Sequence, residues 1–307
     1  MTAWPDGRDF AFTIFDDADS QTLENGRPTY DLLAELGFRT TKSVWPVRGP
    51  GVPSDRGETC DEPHYLRWVQ ELQNAGFEIG FHMATSHTSE RHDTIAALDR
   101  FAEHFGRPPI TMANHYNCDE NVYFGVDRVS GVRRPIYDLL TGFRNHRRFL
   151  GHVPEQPLFW GDVCRERIKY VRNFVYGDVN TLSACPWMPY HDPDRPWVNY
   201  WFASSEGAAV GSFVERLDEK SQDRLEAEGG ACIMYTHFGL GFAERGRRHP
   251  RFESLMTRLA RKNGWFVPVR TLLDHLLERR GHAEITSAQR ARLEWRWLLH
   301  KLAYRTA

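Results

Sequence analysis

Asp16 and Asp17 stand side by side at the end of the apolar run 10–15. Two adjacent carboxylates leaving a buried strand resist joint ionisation unless they are paired, bound to a metal or functional. Alone they also fit a plainer role, one capping the next segment and the other facing water. Three histidines argue for chemistry, because His82, His115 and His237 each follow a short apolar run of their own. If those runs are parallel strands, the acids and imidazoles meet at one rim of the fold. A carboxylate and two imidazoles with an open position suit a catalytic divalent ion of the zinc type, which brings bound water to a pKa of about 7. A second carboxylate would then serve as general base, and a histidine from another strand as general acid to a leaving amine or alcohol.

Asn114, His115 and Asn117 close the run 110–113 with a polar cluster that needs partners, either a substrate or the hydrogen bonds of a loop. The chain contains no Gly-x-Ser-x-Gly elbow, no phosphate-cradling P-loop and no Gly-x-Gly-x-x-Gly fingerprint, which removes serine-hydrolase and nucleotide-fold readings.

The elements that would carry these groups alternate. Phe10, Phe12 and Ile14 fall on one face of a strand and Ala11, Thr13 and Phe15 on the other, so both faces are apolar or small, as inside a barrel. Tyr30, Leu32, Leu33 and Leu36 recur at helical spacing up to Gly37, and a strand follows over 41–47. The order repeats with a helix over about 64–74 and strand-like Phe77, Ile79 and Phe81. A helix through Ile95, Leu98, Phe101 and Phe105, capped by Ser89, then leads to a short strand over 110–113. Such alternation predicts parallel strands joined by helical crossovers, hence a barrel or a doubly wound sheet. Across about 118–222 the periodicity weakens, and two or three further strands with long loops are expected. Regularity returns with a strand over 231–235, a helix through Phe252, Leu255, Met256 and Leu259, a strand over 265–269 and a helix through Leu272, Leu273, Leu276 and Leu277. Residues 287–305 form a separate helical candidate, with Leu293, Trp297, Leu298 and Leu302 on one side and Arg290, Arg292, Arg296, Lys301 and Arg305 largely elsewhere. A basic amphipathic helix of this kind either lies on an anionic membrane surface or docks on its own domain or a partner subunit, and docking is the expected state.

The 307 residues, 41% hydrophobic and 26% charged, have ordinary globular composition. Their 39 basic and 41 acidic side chains leave a formal charge of −2, with no footprint for nucleic acid. No stretch approaches the roughly 20 apolar residues of a bilayer crossing, and the first residues carry neither a basic leader nor an apolar signal core. Five cysteines without a Cys-x-x-Cys pair argue against zinc ribbons and for reduced thiols, so a soluble cytoplasmic protein is expected.

Phe12-Thr13-Ile14-Phe15-Asp16-Asp17 resembles the first motif, Thr-Phe-Asp-Asp-Gly, of the polysaccharide deacetylases, carbohydrate esterase family four, with Ala18 where the Gly would be. The stretch from Ala75 to His82 is similar to the one leading into that family's second motif. Met234-Tyr235-Thr236-His237 resembles its late Leu-x-His motif, and Lys262-Asn263-Gly264-Trp265-Phe266-Val267 its closing helix-to-strand passage. The resemblance spans about residues 9–277. It implies an α/β fold, a distorted (β/α)7 barrel occupying 1–285 as one domain with long loops at about 118–222, followed by a helical extension over 286–307. It further implies Asp16 as catalytic base, Asp17 and His82 as metal ligands and His237 as catalytic acid. One divalent ion is implied, with zinc ahead of cobalt, nickel or iron.

The implied reaction removes an acetyl or other acyl group from an N- or O-acetylated sugar or glycan precursor, with metal-bound water as nucleophile and the oxyanion held by the metal and a backbone N–H. The family's second histidine comes four residues after the first, whereas His87 comes five after His82, an offset that on a regular strand points to the opposite face. His87 reaching round on an irregular loop is the first choice for third ligand and His115 the second, with no third protein ligand as a further option. The family's Arg and Pro segment has no counterpart, since Asn114, His115 and Asn117 occupy that region as candidate substrate contacts. Two other readings stay open: hydrolysis of a different C–N bond, as in imidase and allantoinase-like relatives, and a non-catalytic glycan-binding barrel with an incomplete metal site.

Overall fold

In the computed structural model, which describes residues 4–304, seven parallel strands close into a ring. They are β1 (Phe10–Asp16), β2 (Thr41–Val44), β3 (Glu78–Phe81), β4 (Thr111–Met112), β5 (Tyr170–Tyr176), β6 (Tyr200–Ser205) and β7 (Ala231–Thr236), paired in chain order with β7 returning to β1. A two-stranded hairpin, β8 (Ala243–Glu244) and β9 (Arg247–Arg248), stands apart, and β10 (Gly264–Phe266) joins the outer part of β1. The expected distorted (β/α)7 barrel is therefore the fold. Its distortion lies at β1, where β2 pairs only with Phe15 and Asp16 and β10 takes Phe10 to Phe12 on the same edge.

The helices are α1 (Leu23–Glu35), α2 (Pro63–Asn74), α3 (Arg91–Phe105), α4 (Arg133–Thr141), α5 (Gly161–Arg167), α6 (Thr181–Ala184), α7 (Val210–Arg216), α8 (Glu219–Ala227), α9 (Pro250–Ala260), α10 (Val269–Arg280) and α11 (Ser287–Tyr304). Thr22 and Asn25 form a reciprocal cap at the start of α1, satisfying donors that the first turn leaves unpaired. α3 begins after Glu90 instead of Ser89, whose hydroxyl contacts Thr85 Oγ1 at 3.2 Å, and it closes on Gly106 at φ +72°, the left-handed conformation that glycine adopts without steric cost. β10 is shorter than the run 265–269 suggests because extended Pro268 caps α10, making Val269 its first residue.

The two faces of β1 serve two layers. Phe12 packs on Phe38 at 6.0 Å and Asp16 meets Tyr30 of α1, so this face looks outward to the helices. Phe15 lies across the lumen 5.9 Å from Phe202 of β6, so the alternate face looks into the barrel. Every residue of β1 is buried, as a strand enclosed on both sides requires.

The region 118–222 supplies two strands, β5 and β6. Their register steps from Arg172 opposite Phe202 to Val175 opposite Ser204, which inserts one extra residue into β5. α11 packs on its own barrel: Leu293, Trp297 and Leu298 are buried, and Tyr137 of α4 stacks on Trp297 at 5.5 Å. Buried Glu294 accepts from Ser130 N and Oγ, Arg133 Nε and Arg195 Nη2, while Arg290 donates to Asp192. Of the expected docking partners the helix packs on its own domain, through Leu293, Trp297, Leu298 and its buried charges, whereas Leu302 of the expected stripe is exposed; Arg305 lies outside the described residues. No described helix is long and apolar enough to cross a membrane. All five cysteines are free and buried.

Candidate active site

Parallel strands in register deliver their following residues to one rim. Asp17 N donates to Thr236 O at 2.8 Å, His82 N to Val44 O at 3.0 Å and Ala113 N to Phe81 O at 3.1 Å. Asp17, His82, His115 and His237 consequently line one cavity of about 240 Å³, together with Asp19, Asn114, Tyr116, Phe124, Arg128, Tyr137, Arg172 and Lys301.

Asp19 is the hub of this cavity. Its Oδ2 lies 2.9 Å from His82 Nε2, its Oδ1 lies 2.9 Å from His115 Nε2, and His237 Nε2 is 3.6 Å from Oδ2. Burial pushes its carboxyl pKa up, but the hydrogen bonds and charges of His115 and His82 outweigh that and hold it well below the usual value. Trp45 supports both rings, edge-on to His115 at 5.4 Å and tilted against His82 at 5.9 Å. Met83, directly after His82, has φ +64°, a strained backbone for a residue with a side chain and one that takes the chain out of strand geometry.

Asp17 is gripped through both oxygens by Arg172, at 2.8 Å and 2.5 Å, a forked contact that fixes the carboxylate plane. The extra residue in β5 follows Arg172 directly, a position where bulges commonly re-aim a side chain. Asp17 Oδ2 stands 3.9 Å from His82 Nε2 and 4.0 Å from His237 Nε2. His237 Nδ1 is 2.8 Å from the carbonyl of Ala208, so Nδ1 carries a proton, and Nε2, which Tyr235 OH approaches at 3.2 Å, faces the two acids.

The structure separates the remaining sequence candidates. Asp16, expected as the base, is fully buried outside the cavity: its carboxylate accepts from Gln21 Nε2, Tyr30 OH and Phe238 N, with Lys42 Nζ at 3.9 Å. It holds the backbone next to His237 instead of facing a substrate. His87, expected as the third ligand, accepts from Gly51 N at 3.1 Å and packs on the glycine loop at Gly49 and Gly51, away from the cluster. Asn114 lines the cavity, but its amide is committed at both ends to the backbone of Val122, at 3.0 Å and 3.1 Å. Asn117 is not among the lining residues, and its carbonyl accepts from Thr88. Two participants escaped the sequence reading. Asp19 was visible as a third acid two residues beyond Asp17, and Arg172 as a lone charge inside the apolar run Tyr170–Tyr176.

The donor set fits a divalent cation. Asp19, His82 and His115 offer one carboxylate oxygen and two imidazole nitrogens within 4.8 Å of one another, and Asp17, Asp19 and His237 form an overlapping group. Facing a carboxylate, the two Nε2 atoms each carry a proton that a cation would replace. His115 Nδ1 has Cys118 Sγ at 3.6 Å, whereas buried His82 Nδ1 has no hydrogen-bond partner among the described residues.

No family model and no curated protein matches the chain. Solved structures do. A protein of Mycobacterium smegmatis assigned as a polysaccharide deacetylase aligns at TM-score 0.51 and 12% identity over 93% of this chain and 96% of that one. Puue allantoinase aligns at TM-score 0.51 and 12% identity over 91% and 94%. The chain thus resembles the polysaccharide deacetylases in fold, and at this identity the likeness is one of fold.

Proposed function

We propose that the chain is a metal-dependent hydrolase that removes an acyl group from nitrogen or oxygen of a small carbohydrate. The observation that carries the reading is the convergence of Asp17, Asp19, His82, His115 and His237 on one cavity at the C-terminal rim, where barrel enzymes place their chemistry. Asp19, His82 and His115 would hold the cation, which when bound supplies Lewis-acid polarisation and an acidified water. Asp17, oriented by the Arg172 fork, accepts a proton from the attacking water. His237, its Nδ1–H held by Ala208 O, donates from Nε2 to the leaving amine or alcohol. The small enclosed volume suits a single sugar unit better than a polymer lying across the rim.

Hydrolysis of another C–N bond is the second reading, supported by the equal fold likeness to an allantoinase. A panel of N- and O-acetylated sugars against cyclic ureides decides between them. Stoichiometric zinc, cobalt, nickel or iron in the purified protein, lost in Asp19→Ala and His82→Ala, is the expected result. Asp17→Asn and His237→Ala should lower turnover by about 10² to 10⁴-fold while retaining metal. Unchanged metal content in Asp19→Ala, or no hydrolysis of either substrate class, would overturn the proposal.

A further inference from the structure

Arg128 is a charged lining residue of the cavity to which the proposed hydrolysis gives no role. The residue is only 7% exposed and lines the same cavity as the acids and histidines. Among the described residues no carboxylate lies within ion-pair distance of it; its contacts are the ring of Phe124 at 3.8 Å and the ring of Trp297 at 5.3 Å. A buried guanidinium without an anion is costly, since aromatic faces replace only part of the lost hydration. Burial lowers its pKa to about 10, still high enough to keep the charge at neutral pH. Arg172, the neighbouring guanidinium, is neutralised by Asp17, and Lys301 of α11 adds a second cation to the lining. Burial, then the charge of Arg128, pulls Lys301 down to about 8 against the opposing influence of Glu206, the response of two cations sharing one space.

We propose that Arg128 and Lys301 form an anion subsite that binds a phosphate or carboxylate group carried by the substrate. The inference rests on the reading of this cavity as the substrate site and narrows that substrate to an anionic one. A planar guanidinium held against two aromatic rings presents its N–H fork to a tetrahedral or planar oxyanion with little side-chain entropy left to lose.

The test is calorimetric titration of the full chain with inorganic phosphate, N-acetylglucosamine 6-phosphate, N-acetylmuramic acid and neutral N-acetylglucosamine. The expected result is at least tenfold tighter binding of an anionic sugar than of the neutral one, with that preference lost in Arg128→Met, which preserves length and packing, and retained in Asp19→Asn. Arg128→Lys, which keeps the charge, should retain part of the preference and covers the case in which Arg128→Met fails to fold. A phosphorylated sugar favoured over the carboxylated one identifies a phosphate subsite, and the reverse a carboxylate subsite; either supports the proposal. Equal affinity of wild type and Arg128→Met for every anion overturns it, as does a preference lost in Asp19→Asn yet kept in Arg128→Met, which would put the anion on the cation. Arg128-dependent anion binding in a protein that hydrolyses nothing leaves the subsite standing and removes the hydrolase reading alone.

Discussion

Three carboxylates fall within four residues, and the barrel gives each a different environment. Asp16 turns outward to Tyr30 and Gln21, Asp17 turns into the cavity against Arg172, and Asp19 accepts from two histidines. Asp16 and Lys42 form a pair with no exposed side-chain surface, and removing one member of such a pair leaves an uncompensated buried charge. Asp16→Ala should therefore cost roughly 3 to 5 kcal/mol of stability, read as a lowered urea midpoint, whereas Asp17→Asn should mainly affect turnover. An Asp16→Ala protein with wild-type stability and no activity would return Asp16 to the role of base. The acid motif was plain in the sequence, and so was the rule that settles it. Neighbours on a strand face opposite ways, so Asp16 and Asp17 cannot both enter the lumen. What spacing could not supply was which face is inside, since both are equally apolar.

Elements with clean periodicity were legible and those shaped by long-range ion pairs were not. β1 through β4 and α1 through α3 announce themselves by alternation, helical spacing and terminal glycines. Arg172 sits beside an irregularity in β5, and the approach of α11 to Arg128 depends on partners more than a hundred residues away. The third imidazole was hidden for the same reason. Past Phe81 the chain departs from strand geometry at Met83, so counting from His82 no longer predicts a face, and the imidazole that meets it comes from the end of β4. Docking of α11 rests on Glu294, which has no exposed side-chain surface and receives Arg133 and Arg195. Glu294→Ala should destabilise the protein by about 3 to 5 kcal/mol and increase amide hydrogen exchange first in α11 and α4. A uniform loss of protection across the barrel strands would show that the helix is not a separate cooperative unit.

At the scale of the whole molecule, buried acids tilt the pH dependence of folding. Burial raises the pKa of Glu120, in the loop after β4, from 4.5 to about 8. Between those values the folded chain holds a proton that the unfolded chain has released, so stability is greatest below the window and falls as pH rises through it. The contribution is up to about 1.4 kcal/mol per pH unit; Glu78 and Asp16, also raised by burial, act in the same direction. Urea unfolding at pH 5, 6, 7 and 8 should show this decline, and Glu120→Gln should remove its share. A slope unchanged by that substitution would place the proton elsewhere.

The ring of strands needs nothing beyond Phe266, yet Lys301, which lines the cavity, and Trp297, whose ring lies against Arg128, come from further along the chain. During synthesis from the N-terminus, the carboxylates and imidazoles can therefore assemble before the aromatic clamp on Arg128 exists. The cluster of acids and imidazoles is thus complete early, while Trp297 and Lys301 reach the side of Arg128 only once α11 has emerged.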